Sequence, residues 1–273
     1  MSENTSRNLW LEVITMPLGE RSKKPRNHGL TMVIDKGLGL NETKDLFTVA
    51  GDYIDFLKLG FGTSALYNRG VLEEKINLAK CFGIDIYPGG TFLEIAIMQN
   101  KLKEFIKMAG IIGYSTLEVS DGTINLSQEV RERAISMALD AGFKVLTEVG
   151  KKNLQDKEII GHYLRQVKRD LDCGAFRVII EGRESGKNAG FYDERGRFIE
   201  DEWEQLLVAA GDQRLLIWEA PLKQQQRDLI SRFGPNVNLG NIAASEALAL
   251  EALRVGLRGD TLRPVYLRES SYK

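Results

Sequence analysis

Residues 127–152 read SQEVRERAISMALDAGFKVLTEVGKK, and this stretch carries the grammar of the whole chain. Val130, Ala134, Met137, Ala138 and Ala141 fall at helical spacing, with Glu129, Arg131, Glu132 and Arg133 among them. That pattern predicts a solvated helix with one apolar stripe. Ser127 is placed to cap its start and Gly142 to end it. The apolar run 144–149 then reads as a buried parallel strand, ending in Glu148-Val149-Gly150-Lys151-Lys152.

The same alternation extends in both directions. Strand candidates lie at 30–35, 53–59, 84–87, 116–119, 176–180, 215–218 and 237–239, with helical segments at 73–82, 159–171, 203–210 and 246–257. About eight β-α units of roughly 30 residues favour an α/β fold closed as a (β/α)₈ TIM barrel. A doubly wound open sheet is the competitor, and it announces itself with a Gly-rich phosphate turn after the first strand. Asp35-Lys36-Gly37-Leu38-Gly39-Leu40 does not have that pattern. The expected organisation is an N-terminal extension, 1–28, and a single barrel domain, 29–273. The basic run Arg21, Lys23, Lys24 and Arg26 is expected on a solvated arm.

Composition removes several function classes. A net charge of −1 gives no global argument for nucleic acid or an anionic membrane. The apolar stretches 206–210 and 215–218 are far too short to span a bilayer, and the N-terminus lacks a signal core, so a cytoplasmic protein is expected. Cys81 and Cys173 make neither a zinc site nor a disulfide framework and are expected to pack in the interior. His28 and His162 are poor material for a metal site or a Ser-His triad. The chemistry must run on Lys, Arg, Asp and Glu.

In a (β/α)₈ barrel the active site lies at the C-terminal ends of the strands. Asp35, Glu118, Asp121, Glu148, Glu181 and Glu219 all fall at or just past such ends. Hard oxygen donors without His or Cys partners suit Mg²⁺, with Glu118, Glu148, Glu181 and Glu219 as the candidate ligands. Lys36, Lys58, Arg183 and Ser185 are candidates for binding an anionic substrate. Asn238, Gly240 and Asn241, read as a turn ahead of a helix, are candidates for phosphate. Side chains alternate along a strand, so an inward Glu148 places Gly150 and Lys152 on the same side and Lys151 on the other. The long loop 183–201, with a turn at 193–196, reads either as a lid that brings in Lys187 or as surface ornament or an oligomer contact.

GLTMVIDKGL (29–38), GDYIDFLKLGFGTSA (51–65), YPGGTFLE (87–94), EVSDGT (118–123), LTEVGKK (146–152), VIIEGRESGK (178–187), WEAP (218–221), VNLGNI (237–242) and LEALRVGLRGDT (250–261) together resemble the phosphosulfolactate synthase family. The resemblance implies a (β/α)₈ barrel that catalyses a Mg²⁺-dependent addition of sulfite to phosphoenolpyruvate, giving (2R)-phospho-3-sulfolactate. In archaea that family opens a route to coenzyme M; similar proteins of spore-forming bacteria are associated with sulfolactate. The family's GKK lysine, thought to protonate the reacting carbon, maps to Lys151 or Lys152, and parity selects Lys152. A Schiff-base aldolase-like barrel and a non-catalytic relative of the plant heat-stress type are the alternatives. A homo-oligomer formed through 243–257 and 262–267 is one reading of those apolar segments, and intramolecular packing is the other.

Overall fold

Side chains on a strand alternate between its two faces, and here one face lines a barrel while the other meets helices. A computed structural model describes residues 9–19, 21–150, 157–182, 185–187, 192–197 and 200–270. Its strands are β1 (Thr31–Asp35), β2 (Phe56–Leu59), β3 (Asp85–Tyr87), β4 (Thr116–Val119), β5 (Lys144–Val149), β6 (Arg177–Ile180), β7 (Leu216–Glu219) and β8 (Leu239–Ala243). They pair in parallel in the order β3-β2-β1-β8-β7-β6-β5-β4. Ser115 draws the two outer strands together: its N–H donates to Ile86 O at 3.4 Å and its hydroxyl accepts from Ile86 N–H at 3.2 Å. The eight strands thus form a nearly closed barrel, as the sequence predicts.

The helices are α1 (Leu40–Ala50), α2 (Arg69–Cys81), α3 (Gly90–Met98), α4 (Leu102–Ile112), α5 (Gln128–Asp140), α6 (Lys157–Asp172), α7 (Glu200–Ala210), α8 (Lys223–Phe233), α9 (Ala247–Arg254) and α10 (Gly259–Ser270). Leu30, Met32, Phe56, Tyr87, Leu146, Ile179 and Ile217 fill the barrel interior as one apolar cluster. Each such side chain contributes roughly 1.5–3 kcal/mol on burial. The alternate residues, such as Val33, Leu57, Leu117, Val145, Val178 and Trp218, pack under the helices in a second, larger core. Among the described residues no helix is long and apolar enough to cross a membrane.

On α5, Ser127 caps the helix by accepting from Val130 N–H at 3.3 Å, and Gly142 follows it with φ +86°. The buried face, however, is Arg131, Ala134, Ile135 and Ala138, so Arg131 leads the core stripe and Ala141 is exposed. The solvated reading of Arg131 therefore fails. The cysteine expectation also fails in part, because Cys81 is exposed and Cys173 half-buried. On α9, Ala247, Leu250 and Leu253 pack inside the chain, while Leu257, Leu262 and Leu267 beyond them are exposed.

The basic run is not a solvated arm. Arg21 pairs with Glu251 at 3.1 Å and donates to Asn236 Oδ1 and Gly29 O; Arg26 makes a two-pronged pair with Asp55. Lys24 Nζ donates to Gly51 O at 2.8 Å. Only Lys23 of the four points to solvent. The segment closes the end of the barrel where the strands begin. Partners more than two hundred residues away, Asn236 and Glu251, could not be read from local sequence.

Strand β8 starts later than its predicted 237–239 and runs further. Asn238 is the reason. Its Oδ1 accepts from Leu30 N–H at 2.9 Å, and its Nδ2 donates to Arg214 O and Leu216 O at 2.8 Å each. It knits the entrances of β1, β7 and β8, at the end of the barrel opposite the strand C-termini. Arg254, fully buried, reinforces the same end by donating to Pro235 O, Val237 O and Leu30 O. Asn238→Ala would strand two buried backbone groups and one partly buried one, so it should lower the unfolding free energy by roughly 2–4 kcal/mol in urea denaturation.

Candidate active site

Inward parity brings Lys58 of β2, Glu118 of β4, Glu148 of β5 and Glu219 of β7 into one layer at the strand C-termini. Lys58 Nζ stands 3.1 Å from Glu118 Oε2, 3.1 Å from Glu148 Oε2 and 3.4 Å from Glu219 Oε1. Lys58, Glu118 and Glu219 are buried, and Glu148 is half-buried. Sequence reading placed these four at the mouth but did not settle which acids would pair with which lysine.

Backbone groups hold the outer oxygens of two of these carboxylates. Gly90 N–H, opening α3, donates to Glu118 Oε1 at 2.8 Å, and Gly182 N–H, just past β6, donates to Glu219 Oε2 at 3.0 Å. Neither position has room for a side chain. A Cβ on Gly90 would stand 2.2 Å from Ser120 Oγ, and one on Gly182 would stand 2.5 Å from Glu219 O. The N–H groups of both glycines thus meet the protein's own carboxylates.

Three carboxylates face one ammonium in this layer. Burial raises the Glu118 and Glu219 carboxyls above the usual range; Lys58 opposes the rise and Glu148 adds to it. Burial by itself would depress the Lys58 ammonium, but Glu118, Glu148 and Glu219 outweigh it and hold it well above an ordinary lysine. Tyr87, fully buried, has its hydroxyl against Met32 Sδ, and burial together with the Glu118 charge pushes its ionisation far up. It forms part of the floor of the mouth and was read from sequence only as a strand end.

A ring of supports surrounds the layer. Glu94 on α3, buried, accepts from Ser120 Oγ and from Thr123 N–H and Ile124 N–H at 2.9 Å, which fixes the loop after β4. Its signal was present: it is the one charged residue in the apolar helix GTFLEIAIM. Arg131 donates to Asp170 Oδ2 at 2.6 Å, to Glu148 O at 3.0 Å and to Asp121 Oδ1 at 3.3 Å. That contact pins the backbone at the end of β5 and commits Asp121 to a structural partner. Asp35 faces outward, pairs with Lys75 of α2 and accepts from Gly37 N–H and Leu38 N–H at 2.8 Å. Tyr192 donates to Glu219 O at 2.7 Å, and Gln225 of α8 donates to Gly186 O at 2.6 Å and Gly196 O at 3.2 Å. The described parts of the loop after β6 are thereby tied to the site and to α8.

The other predicted residues divide. Glu181 is half-buried beside Gly150, at the mouth but outside the Lys58 cluster. Lys36 is exposed just past β1. Gly240 lies level with Glu219, and a Cβ there would stand 2.5 Å from Met32 Cε. Asn241 lies in the irregularity between β1 and β8, where the register slips between Leu239 and Ile242; it is buried at φ +52°, and among the described residues its Oδ1 has no hydrogen-bond partner. Ser185 is exposed and exchanges hydrogen bonds with Lys187. Asn238 is corrected out of the mouth, because all its polar capacity is spent at the far end. Lys151, Lys152 and Arg183 lie outside the described residues. Among the described residues no group of three or more His, Cys, Asp or Glu side chains is arranged to hold a metal ion. A cavity of ≈ 420 Å³ lies at the far end, lined by Lys24, Arg26, Asp55, Phe56, Asp85 and Lys144, and is remote from this layer.

Fold and site together define a (β/α)₈-barrel enzyme whose mouth is built on carboxylates and lysine. Comparison with known proteins narrows the class. The family profile of (2R)-phospho-3-sulfolactate synthase (ComA) matches residues 19–260. The phosphosulfolactate synthase of Methanothermobacter thermautotrophicus is 47% identical over 249 residues, covering 90% of this chain and 96% of that protein. That of Methanocaldococcus jannaschii is 48% identical over 239 residues, covering 87% and 95%. Protein HEAT-STRESS-ASSOCIATED 32 of Arabidopsis thaliana is 22% identical over 267 residues, covering 86% and 88%. A crystal structure of 3-hexulose-6-phosphate synthase from Salmonella typhimurium superposes with a TM-score of 0.53 at 13% identity, covering 84% of this chain and 100% of that one, and shows the fold alone. The chain belongs to the phosphosulfolactate synthase family, whose members are enzymes of the lyase type.

Arg131→Met would leave Asp170 buried without its cationic partner, with Gln166 Nε2 still donating to it. It should cost roughly 3–5 kcal/mol of unfolding free energy in urea, whereas Arg133→Met on the exposed face of α5 should stay within about 0.5 kcal/mol.

Proposed function

We propose that this protein adds sulfite to phosphoenolpyruvate to give (2R)-phospho-3-sulfolactate, with Mg²⁺ as cofactor, in the cytoplasm. The observation that carries the reading is the close match to phosphosulfolactate synthases along nearly the whole chain. The much weaker likeness to the heat-stress protein argues against the non-catalytic alternative. The mouth is consistent with it in kind: a polar, acid-rich layer above an apolar barrel floor.

The donor set fits a hard cation. Glu118 Oε2, Glu148 Oε2 and Glu219 Oε1 converge, and one ammonium faces two buried carboxyl groups and a half-buried one. Glu118, Glu148 and Glu219 would hold Mg²⁺, which when bound supplies Lewis-acid stabilisation of negative charge growing on the substrate carboxylate.

The remaining roles belong to the chain's own groups. The sulfur lone pair of sulfite forms the new bond at C3, and the displaced π pair moves toward C2 and the carboxylate. Lys152 in its ammonium form delivers a proton to C2 from one face, which sets the configuration. Lys36, at the rim, Arg183 and Ser185 meet the anionic groups of the substrates, and Gly240 and Asn241 meet the phosphate. Asn241 would act there through its Nδ2 and main-chain N–H donors, since its amide oxygen, like the phosphate's own oxygens, only accepts; the backbone irregularity between β1 and β8 at this point re-aims the chain. A Schiff base at Lys58 is disfavoured, since an imine needs a neutral amine and this one is gripped by three acids.

Purified protein incubated with phosphoenolpyruvate and sulfite should yield a new ³¹P NMR signal that depends on both sulfite and Mg²⁺. A signal that forms without Mg²⁺ would remove the cofactor from the reading, and none at all from folded protein would remove the reaction. Lys152→Ala should reduce turnover by at least a thousandfold with an unchanged circular dichroism spectrum; near-normal turnover would reassign the proton donor.

A further inference from the structure

The three carboxylate oxygens that converge on Lys58 are those the backbone leaves free. Glu118 and Glu219 each spend one oxygen on a glycine N–H and turn the other toward Nζ. Glu118 Oε2 is buried and lies 3.1 Å from Nζ as an ion-pair contact, without the alignment of a full hydrogen bond. An ammonium satisfies three directions through its N–H bonds, and here the geometry serves fewer. As the side chains stand, no metal-holding arrangement forms among the described acids.

We propose that the Lys58 ammonium occupies the cation seat of the metal-free enzyme and leaves it when a divalent cation binds, so that Lys58 and the cation compete for Glu118, Glu148 and Glu219. The proposal rests on the magnesium reading above. Its physical basis is that an ammonium and a divalent cation cannot share one pocket only a few ångströms across without strong repulsion. While in the seat, Lys58 keeps three acids from repelling one another and keeps their oxygens aimed inward. Once displaced, the same ammonium is released at the mouth of β2, where an anionic reactant arrives. Cation binding would thus turn a structural lysine into an anion-binding one, and would order the two events.

Mn²⁺ serves as the probe, titrated into substrate-free wild type, Lys58→Met and Lys58→Arg, with unbound Mn²⁺ read by electron paramagnetic resonance. Lys58→Met, neutral and of similar length, should bind Mn²⁺ at least tenfold more tightly than wild type. Lys58→Arg, which keeps the competing charge, should bind no more tightly. Wild type that binds Mn²⁺ with an affinity equal to or better than that of Lys58→Met would overturn the competition while leaving the magnesium reading standing. Failure of every form to bind Mn²⁺, with or without phosphoenolpyruvate, would overturn both.

A second measurement needs no neutral variant. In ¹⁵N-lysine-labelled wild type, the ammonium of Lys58 should give an exchange-protected signal, assigned by its absence in Lys58→Arg. That signal should be lost as Mg²⁺ saturates the protein. Its persistence at saturation would show that Lys58 keeps its seat, and would sink the proposal even if Lys58→Met failed to fold.

Discussion

One ammonium among three carboxylates sets the terms for the rest of this barrel. Two opposite charges about 4 Å apart gain roughly 4 kcal/mol at an effective dielectric of 20, while desolvation costs several kcal/mol per ion. Lys58 alone therefore cannot offset the burial of Glu118, Glu148 and Glu219, and the surplus must be met from elsewhere. Part is met by the N–H groups of Gly90 and Gly182. The dipole of α3, whose N-terminus points at Glu118, adds to the first of these. The apolar floor of Met32, Phe56, Tyr87, Leu146, Ile179 and Ile217 keeps that layer from settling deeper.

The same economy explains why buried ion pairs and a hydrogen-bonded buried acid lie just behind the mouth. Arg131 with Asp170 and Asp121, Lys75 with Asp35, and Glu94 with the loop after β4 each fix a strand end or the turn that follows it. None of these groups reaches the central layer. They hold the backbone from which the central side chains project, and a barrel mouth made of loop starts needs that restraint. The opposite end is fastened by different means: Asn238 and Arg254 bond to backbone carbonyls, and the segment carrying Arg21 and Arg26 closes the entrance.

The eight-strand alternation was legible because buried parallel strands read as bare apolar runs between helices. The bounds of β4 and β5 were read correctly, each run starting and stopping sharply. β8 was misread because Gly240 and Asn241, inside the strand, look like a turn, while Asn238 looks like a strand end. Position at or just past the end of an apolar run was enough to find Glu118, Glu148, Glu219 and Lys58. It was not enough to give Lys58 its neighbours, which come from three other strands. Arg131, Arg21 and Arg26 were read as solvated because a charged residue is assigned by its type. Whether it is buried depends on a partner such as Asp170, Glu251 or Asp55 that only the fold brings near. Glu94 was the exception in kind, a lone acid in an apolar helix that could have been recognised.

The dependence on Gly90 and Gly182 bears on how such a site could be moved or remade. Because its key donors are main-chain N–H groups at positions with no room for a Cβ, the arrangement is not portable as a set of side chains. Transplanting the lysine and three glutamates onto another (β/α)₈ scaffold would carry the charges without the groups that hold them. The smallest transferable unit is therefore four strand ends together with the first turn of α3 and the turn leaving β6.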